Sequence, residues 1–360
     1  MTKRGGRKAW TLVLALLLAS GGTLLALAQQ KPPREQKQGP LQPQESQQEQ
    51  EAPYALRIEV PLVNVDVTVV DKNGNFINGL KREHFRVFLD GEEQEIAAFA
   101  PTNAPLTTVL LVEATRAVGY ILYQNVDAAY LFLRQLRKDD WVGLVAYDLK
   151  SHVEVDFTRE RRDIVGALRR LQYASGTFNE ANLYDAVIDT LDRLKDVEGK
   201  KSIIIIGTGF DTFSRHTWDD ARKIARQHDT TIFGIGMSWV LELGLDRAES
   251  RGSRTASIAR MDIHIAKAQM RDLAEQTGGR AYFPRFITEM PGIYNEIGAL
   301  LRNQYSMAFR PRDFKRDGKF HKIQVKLMGP DGKPLKVFNQ DGKKVKYKVF
   351  ARKGFYTPEA

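Results

Sequence analysis

One apolar segment constrains the fold of this 360-residue chain more than any other. Residues 107–117 read Thr-Thr-Val-Leu-Leu-Val-Glu-Ala-Thr-Arg-Ala, so an apolar run from Val109 to Val112 leads directly into a polar loop. A continuous apolar run of this kind is typical of a strand that is buried on both faces of a parallel sheet. We therefore predict the first strand of an α/β sheet, with a ligand-binding position in the loop at its carboxyl end.

The following 190 residues or so alternate between short apolar runs and amphipathic segments, as a βα repeat requires. Further strands are predicted at 142–147, 203–206 and 231–236, and Thr277-Gly278-Gly279 should end a helix before a short strand at 280–283. The apolar residues of the helices recur at three- and four-residue spacing. These helix faces are Leu122, Val126, Ala129, Leu133 and Leu136, then Leu183, Val187, Leu191 and Leu194, then Met290, Ile293, Ile297 and Leu300. The pattern predicts a doubly wound, mostly parallel sheet in a domain of residues 103–303.

The segments on either side of this domain, residues 56–102 and 304–357, alternate at period two and are predicted to be β-structure. Asp331-Gly332 and Asp341-Gly342 are typical hairpin turns. Neither flank has enough strands to bury a sheet alone, so we predict that the two flanks fold together as one β-sandwich-like module. The alternating residues are Val63, Val65, Val67 and Val69, then Tyr305, Met307 and Phe309, then Ile323, Val325 and Leu327, then Val345, Tyr347 and Val349.

Four motifs in order carry a family resemblance. Residues 79–91 (GLKREHFRVFLDG) with Gln94-Glu95-Ile96, residues 182–187 (NLYDAV), residues 276–280 (QTGGR) and residues 317–323 (DGKFHKI) resemble the secreted VWFA-related family abundant in acidobacteria. This is a family of von Willebrand factor A-type domains, and the likeness covers about residues 58–357. It implies adhesion or assembly through a metal-ion-dependent site, formed by an Asp-x-Ser-x-Ser loop, a Thr on a second loop and an Asp on a third.

The chain departs from this implied ligand set at nearly every position. Glu113 is at the position of the Asp, Thr115 replaces the first Ser, and Ala117 has no side-chain oxygen. Thr208 is at the usual Asp of the third loop, while Asp211, which matches outright, is outside the core ligand set. Because Mg²⁺ requires near-ideal octahedral geometry at about 2.0–2.1 Å, we expect a degenerate site with no cofactor. The alternative is a Mg²⁺-dependent adhesion domain whose ligands are Glu113, Thr115 and either Asn182 or Thr177.

No other pattern predicts catalysis or a cofactor. The six histidines lack metal-ligand spacing, the chain has no cysteine, and neither a Gly-x-Ser-x-Gly elbow nor a complete dinucleotide fingerprint is present. The pairs Asp139-Asp140 and Asp219-Asp220 are interpreted as turn and helix-capping residues. We therefore expect a binding protein, neither an enzyme nor a receptor for a small-molecule substrate.

The amino terminus is typical of an exported protein. Lys3, Arg4, Arg7 and Lys8 precede an apolar stretch from Trp10 to Leu27, and Ala26-Leu27-Ala28 is a small-x-small cleavage motif. We predict a signal peptide at residues 1–28 and a periplasmic or extracellular location, and the alternative is an uncleaved inner-membrane anchor. Residues 29–55 are rich in Gln and Pro and are predicted to be a disordered linker.

Positive charge is concentrated towards the carboxyl terminus. Residues 302–353 contain sixteen Lys or Arg against four Asp, whereas the whole chain carries +10. Such a surface can attract an acidic protein or an anionic envelope polymer, and the alternative is a solvated face whose lysines block edge pairing. Nucleic acid is a poor candidate for an exported protein. A predicted loop at residues 240–264 contains four arginines, and these are expected to border the degenerate site and to contact an acidic partner, with disorder as the alternative. Its arginines are Arg247, Arg251, Arg254 and Arg260.

The function predicted from the sequence is therefore an exported, non-catalytic, adhesion-type binding protein. The competing hypothesis is a purely architectural subunit of an envelope complex, assembled through the edges of the β module. The sequence does not predict an oligomeric state.

Overall fold

The computed structural model describes residues 62–72, 74–101, 105–116, 118, 129–174, 178–239, 241–242, 254–338 and 342–357. The predicted signal peptide and linker lie outside these residues. Within the described ranges, no helix is long and apolar enough to cross a membrane.

The central sheet contains six strands in the spatial order β10-β9-β8-β5-β6-β7. All neighbouring pairs are parallel except β6 and β7, which are antiparallel. The strands are β5 (Leu106–Glu113), β6 (Trp141–Tyr147), β7 (Ser151–Thr158), β8 (Lys200–Gly207), β9 (Thr231–Gly236) and β10 (Ala281–Tyr282). The chain proceeds outward from β5 in one direction and from β8 in the other, which makes this a doubly wound α/β sheet. The order of the strands reverses between β5 and β8.

Two layers of helices cover the two faces of this sheet because its inner strands are apolar on both sides. On β5, for example, Leu110 and Val112 belong to one core and Val109 and Leu111 to the other. The first core contains residues of the helix that includes 129–135, of α1 (Arg161–Ala174) and of α5 (Met290–Arg302). The second core contains residues of α2 (Leu183–Arg193), α3 (Trp218–Gln227) and α4 (Arg254–Gln276).

The flanking segments form two further four-stranded sheets, β15-β1-β11-β4 and β16-β12-β2-β3. Strand β1 pairs antiparallel with β11 and β15, so the two ends of the described chain share one sheet. The third core lies between the two sheets, with Val65 and Met307 from the first sheet and Val87 and Ile323 from the second. The β module is thus a sandwich. Its elements are β1 (Val63–Asp71), β2 (Phe85–Leu89), β3 (Glu92–Gln94), β4 (Ile96–Pro101), β11 (Tyr305–Phe309), β12 (Phe320–Leu327), β13 (Val337–Phe338), β14 (Lys344–Val345), β15 (Tyr347–Ala351) and β16 (Gly354–Tyr356).

The structure corrects several boundaries. Residues 254–264, predicted as part of the loop at 240–264, belong to α4, because Ile263, Ala266 and Met270 continue the helical spacing and are buried. The short strand expected at 280–283 is limited to Ala281–Tyr282. Strand β7 was not predicted, although Val153, Val155 and Phe157 alternate along it. The last alternating segment is divided at Lys346 into β14 and β15.

Candidate functional site

The candidate site lies at the carboxyl edge of the parallel sheet, where the strand order reverses. Glu113 is the last residue of β5, and Thr208 directly follows β8. These two strands are hydrogen-bonded neighbours. Open α/β sheets bind their ligands in the crevice at this position.

Both oxygens of the Glu113 carboxylate accept hydrogen bonds from neighbouring residues. The Thr115 hydroxyl donates to Oε1 at 2.6 Å. The Thr208 backbone N–H and hydroxyl donate to Oε2 at 2.6 and 2.7 Å. Glu113 is 2% exposed, and Thr115 and Thr208 are 0% and 2% exposed. The three residues that were predicted to occupy metal-ligand positions therefore form one buried network with each other, which we call the Glu113 network.

Burial sets the electrostatics of this network. Desolvation raises the pKa of Glu113, and the hydrogen bonds from Thr115 and Thr208 oppose that shift. The pKa of the Tyr147 phenol is raised well above its usual range, first by burial and then by the charges of Glu113 and Asp211. Gly207 leaves the space for these groups, since a Cβ there would lie 2.6 Å from both Glu113 Oε2 and the Tyr147 hydroxyl oxygen.

The other two described ligand candidates lie at the same edge but outside the Glu113 network. Asn182 precedes α2 and is 5% exposed, and its Oδ1 has no hydrogen-bond donor within the described part of the chain. Asp211 accepts hydrogen bonds from the Tyr184 N–H at 3.1 Å and from the Ser214 hydroxyl. Burial raises the pKa of Asp211, and the Ser214 hydrogen bond opposes this shift. Asp211 thus holds the loop after β8 against the start of α2.

These residues do not fit a Mg²⁺ site. A cation at Glu113 would have to displace the donors from Thr115 and Thr208, which already occupy both carboxylate oxygens. Thr208 contributes a neutral hydroxyl where a second carboxylate is implied by the resemblance, and that hydroxyl donates to Glu113. Across the described ranges, no three His, Asp or Glu side chains are grouped closely enough to hold a metal ion.

Most of the remaining sequence candidates lie outside the described residues. This applies to Ala117, Thr177, Arg247 and Arg251. Arg254 and Arg260 are residues of α4, and Arg260 is half-buried. The Asp pairs have the predicted capping and turn roles. Asp220 completes a capping box with Thr217, and Asp140 accepts hydrogen bonds from the Leu106 and Arg137 N–H groups and pairs with Arg302.

Two exposed phenylalanines at the carboxyl edge are not among the site residues predicted from the sequence. Phe178 and Phe213 are 41% and 56% exposed. The Phe178 carbonyl accepts from the Arg116 N–H at 2.9 Å, in the loop that contains Thr115. The Phe213 N–H donates to the Ala181 carbonyl at 3.0 Å, and the Ala181 N–H donates to the Thr212 hydroxyl at 2.9 Å. Hydrogen bonds thus connect the loops that carry both rings. Phe178 in Gly-Thr-Phe-Asn and Phe213 in Asp-Thr-Phe-Ser were recognisable as aromatic residues in polar loops.

A second polar cluster lies at the opposite, amino edge of the sheet. A cleft of about 480 Å³ separates this edge from β1, β4 and β11 of the β module. Lys200 and Lys201, the first residues of β8, are 7% and 8% exposed in its wall. Lys201 pairs with Asp229 at 2.6 Å, and Lys200 donates to Gln304 at 2.5 Å and lies 4.0 Å from Asp66. Burial lowers the pKa of Lys200 to about 8, opposed by Asp66. The lysines of this cleft are balanced by its carboxylates.

The sequence matches no model of a known protein family and no curated protein. Several solved structures are similar in fold. An aerotolerance-related membrane protein from Bacteroides fragilis is 11% identical, with a TM-score of 0.40 over 54% of this chain and 98% of that chain. A von Willebrand factor type A protein from Catenulispora acidiphila is 9% identical, with a TM-score of 0.40 over 76% of this chain and 74% of that chain. The PilB minor pilin from Streptococcus sanguinis is 9% identical, with a TM-score of 0.41 over 57% and 63%. The strand order and the two helix layers, rather than these distant likenesses, define the fold class.

Proposed function

We propose that this chain is an exported, non-catalytic binding protein that contacts a protein partner at the carboxyl edge of its α/β sheet without a metal ion. The observation that carries the proposal is the Glu113 network. The Glu113 carboxylate accepts hydrogen bonds from Thr115 and Thr208. The carboxylate that would bind the cation in a metal-dependent site is therefore enclosed within the protein. Export is supported by the basic, apolar and small-residue pattern of residues 1–28.

The surface over the network has the chemistry of a protein interface. Phe178 and Phe213 expose apolar area, and Arg116 beside them is exposed. Aromatic residues and arginine are enriched among the residues that contribute most of the energy in protein interfaces. The hydrogen bonds between these loops hold the surface in place before binding, which lowers the entropy lost on association.

The test compares envelope fractions captured by the wild type, by the double variant Phe178→Ala/Phe213→Ala and by Tyr130→Ala. Tyr130 is 47% exposed on the helix that includes residues 129–135 and serves as the matched control. We expect one captured component to lose at least ~30-fold in affinity with the double variant only, from roughly 2 kcal/mol for an aromatic residue at an interface. Chelator should not change this binding.

Two outcomes contradict the proposal. If the double variant binds its component as well as the wild type does, and only changes in the β module disrupt association, the chain is an architectural subunit assembled through that module. If binding requires Mg²⁺ and is lost with chelator, the carboxyl edge is a metal-dependent adhesion site after all.

A further inference from the structure

The β module contains a two-stranded ribbon, β13 with β14, which pairs with no other strand among the described residues. Val337 is opposite Val345, and Phe338 is opposite Lys344. The ribbon is anchored at its base. The Leu335 N–H donates to the Leu327 carbonyl of β12 at 3.0 Å, and β14 is followed after one residue by β15, which pairs with β1.

The two faces of the ribbon differ sharply. On the inner face Val337 and Val345 are half-buried, and the flanking Leu335 and Tyr347 pack against the core of the sandwich. On the outer face every described residue is exposed. These residues are Lys336, Phe338, Lys344 and Lys346, which we call the ribbon face.

Among the residues that the structure describes, no carboxylate neutralises the lysines of the ribbon face. Within the described ranges, Lys336, Lys344 and Lys346 form no ion pair. Asp331, the nearest described carboxylate in sequence, accepts a hydrogen bond from the Lys333 N–H at 3.2 Å. On an edge strand, the sole role of lysines can be to prevent aggregation. That role gives no reason for an aromatic ring among them. Phe338 is 58% exposed directly opposite Lys344.

We propose that the ribbon face binds the surface of a lipid bilayer that contains anionic phospholipids. The phosphates of such a surface attract lysines at about 1 kcal/mol each, and a Phe ring buries its apolar area at the boundary between the headgroups and the acyl chains. The cations of the ribbon face are all lysine, a hydrated point charge suited to a diffuse layer of phosphates, whereas paired recognition of carboxylates on a protein favours arginine. This contact is independent of the carboxyl edge of the α/β sheet.

The experiment is co-sedimentation of the purified full chain with vesicles of phosphatidylcholine, alone or mixed with phosphatidylglycerol. The variants are Lys336→Gln/Lys344→Gln/Lys346→Gln, Phe338→Ala, and the control Lys138→Gln/Lys150→Gln/Lys195→Gln. The control removes the same charge from exposed positions of the α/β domain. All variants keep the same amino-terminal segment, so any lipid binding by residues 10–27 is common to them.

The wild type should bind the mixed vesicles more tightly than the neutral ones. Salt should weaken this binding, because the Debye screening length falls from about 10 Å at 0.1 M ionic strength to about 3 Å at 1 M. The ribbon lysine variant should lose roughly 100-fold in partitioning to mixed vesicles, from about 1 kcal/mol per lysine. The control should retain most of the binding. Phe338→Ala should weaken binding to a smaller extent. Brominated lipid in mixed vesicles should quench the tryptophan fluorescence of Phe338→Trp more strongly than that of the wild type.

Three results would overturn the proposal. The first is equal binding to neutral and mixed vesicles, and the second is an equal loss in the ribbon lysine variant and in the control. The third is binding to a soluble sulfated polysaccharide without binding to mixed vesicles, which would assign the ribbon face to an anionic polymer instead. Circular dichroism of each variant confirms that the comparison is between folded proteins.

Discussion

The Glu113 network and the ribbon face differ in the burial and the pairing of their charged groups. At the carboxyl edge of the α/β sheet, one carboxylate is 2% exposed and receives three hydrogen bonds from Thr115 and Thr208. On the ribbon face, three lysines are exposed and form no ion pair within the described chain. The Glu113 carboxylate is hydrogen-bonded inside the protein, whereas the lysines of the ribbon face are available to a partner.

This difference shows that a fold can keep the position of a binding site although the residues at that position no longer have the chemistry of the site. The carboxyl edge keeps the location expected of a ligand site in an open sheet, yet both oxygens of the Glu113 carboxylate there already accept hydrogen bonds. Glu113 is one methylene longer than the implied Asp, and its carboxylate contacts Thr208 on the neighbouring strand. We therefore expect substitutions in the Glu113 network to act mainly on stability, and substitutions on the ribbon face to act mainly on binding.

The largest effect is expected for Glu113→Ala. This change leaves two hydroxyl donors and one backbone N–H without their acceptor in the core, and we expect the free energy of unfolding to fall by about 3 kcal/mol. Glu275→Ala is the matched control, because Glu275 is exposed on α4 and should change stability by less than about 0.5 kcal/mol. Urea unfolding of both variants measures the difference. Equal stability of the two would break the contrast between an enclosed and an exposed carboxylate.

A somewhat smaller effect is expected for Gly207→Ala. The new Cβ would lie 2.6 Å from Glu113 Oε2 and from the Tyr147 hydroxyl oxygen, so both side chains must move, at a cost of about 1–3 kcal/mol. Gly166→Ala is the control. Its Cβ would lie 3.6 Å from the nearest atom, on Arg170, in the middle of α1, and should raise stability by about 0.5–1 kcal/mol. Thermal melting should show shifts of opposite sign, and a neutral Gly207→Ala would mean that the network is loosely packed.

The sequence was most informative where the pattern is continuous. The four predicted strands of the sheet and the pairing of the two flanks into one sandwich follow from apolar runs and alternation. The beginning of α4 was missed because Arg247 to Arg260 was interpreted by charge, while Arg and Ala are also strong helix formers. At the site, residue types predicted that Glu113 and Thr208 depart from the implied ligands. They could not predict the hydrogen bonds between them, which depend on the register of β5 against β8.

A third, smaller effect concerns pH. Burial raises the pKa of Glu113 above its value of 4.5 in the unfolded chain, so the folded protein retains a proton there that the unfolded chain releases. The contribution of this residue to the free energy of unfolding is therefore present in full below pH 4.5 and decreases as pH rises through the folded pKa. Glu113→Gln should remove this decrease, which the difference between the two stability profiles measures. Parallel profiles for the wild type and Glu113→Gln would show that burial does not perturb this carboxyl.

A positive control for the metal question is the triple variant Glu113→Asp/Ala117→Ser/Thr208→Asp. It restores the oxygen ligands that the resemblance implies, and it should gain measurable Mg²⁺ or Mn²⁺ binding if the loops retain the geometry of a metal site. Failure of the triple variant would place the obstacle in the loop that contains Asn182 rather than in the missing ligands alone.

The most direct test of the Glu113 network is the melting temperature of the wild-type chain with and without millimolar Mg²⁺ or Mn²⁺. A cation at 100 times its dissociation constant would add about 2.7 kcal/mol of stability. Because Thr115 and Thr208 occupy both oxygens of Glu113, we predict an unchanged melting temperature. A clear upward shift that chelator reverses, and that is absent in Glu113→Gln, would contradict the closed network and show that the carboxyl edge is a metal site.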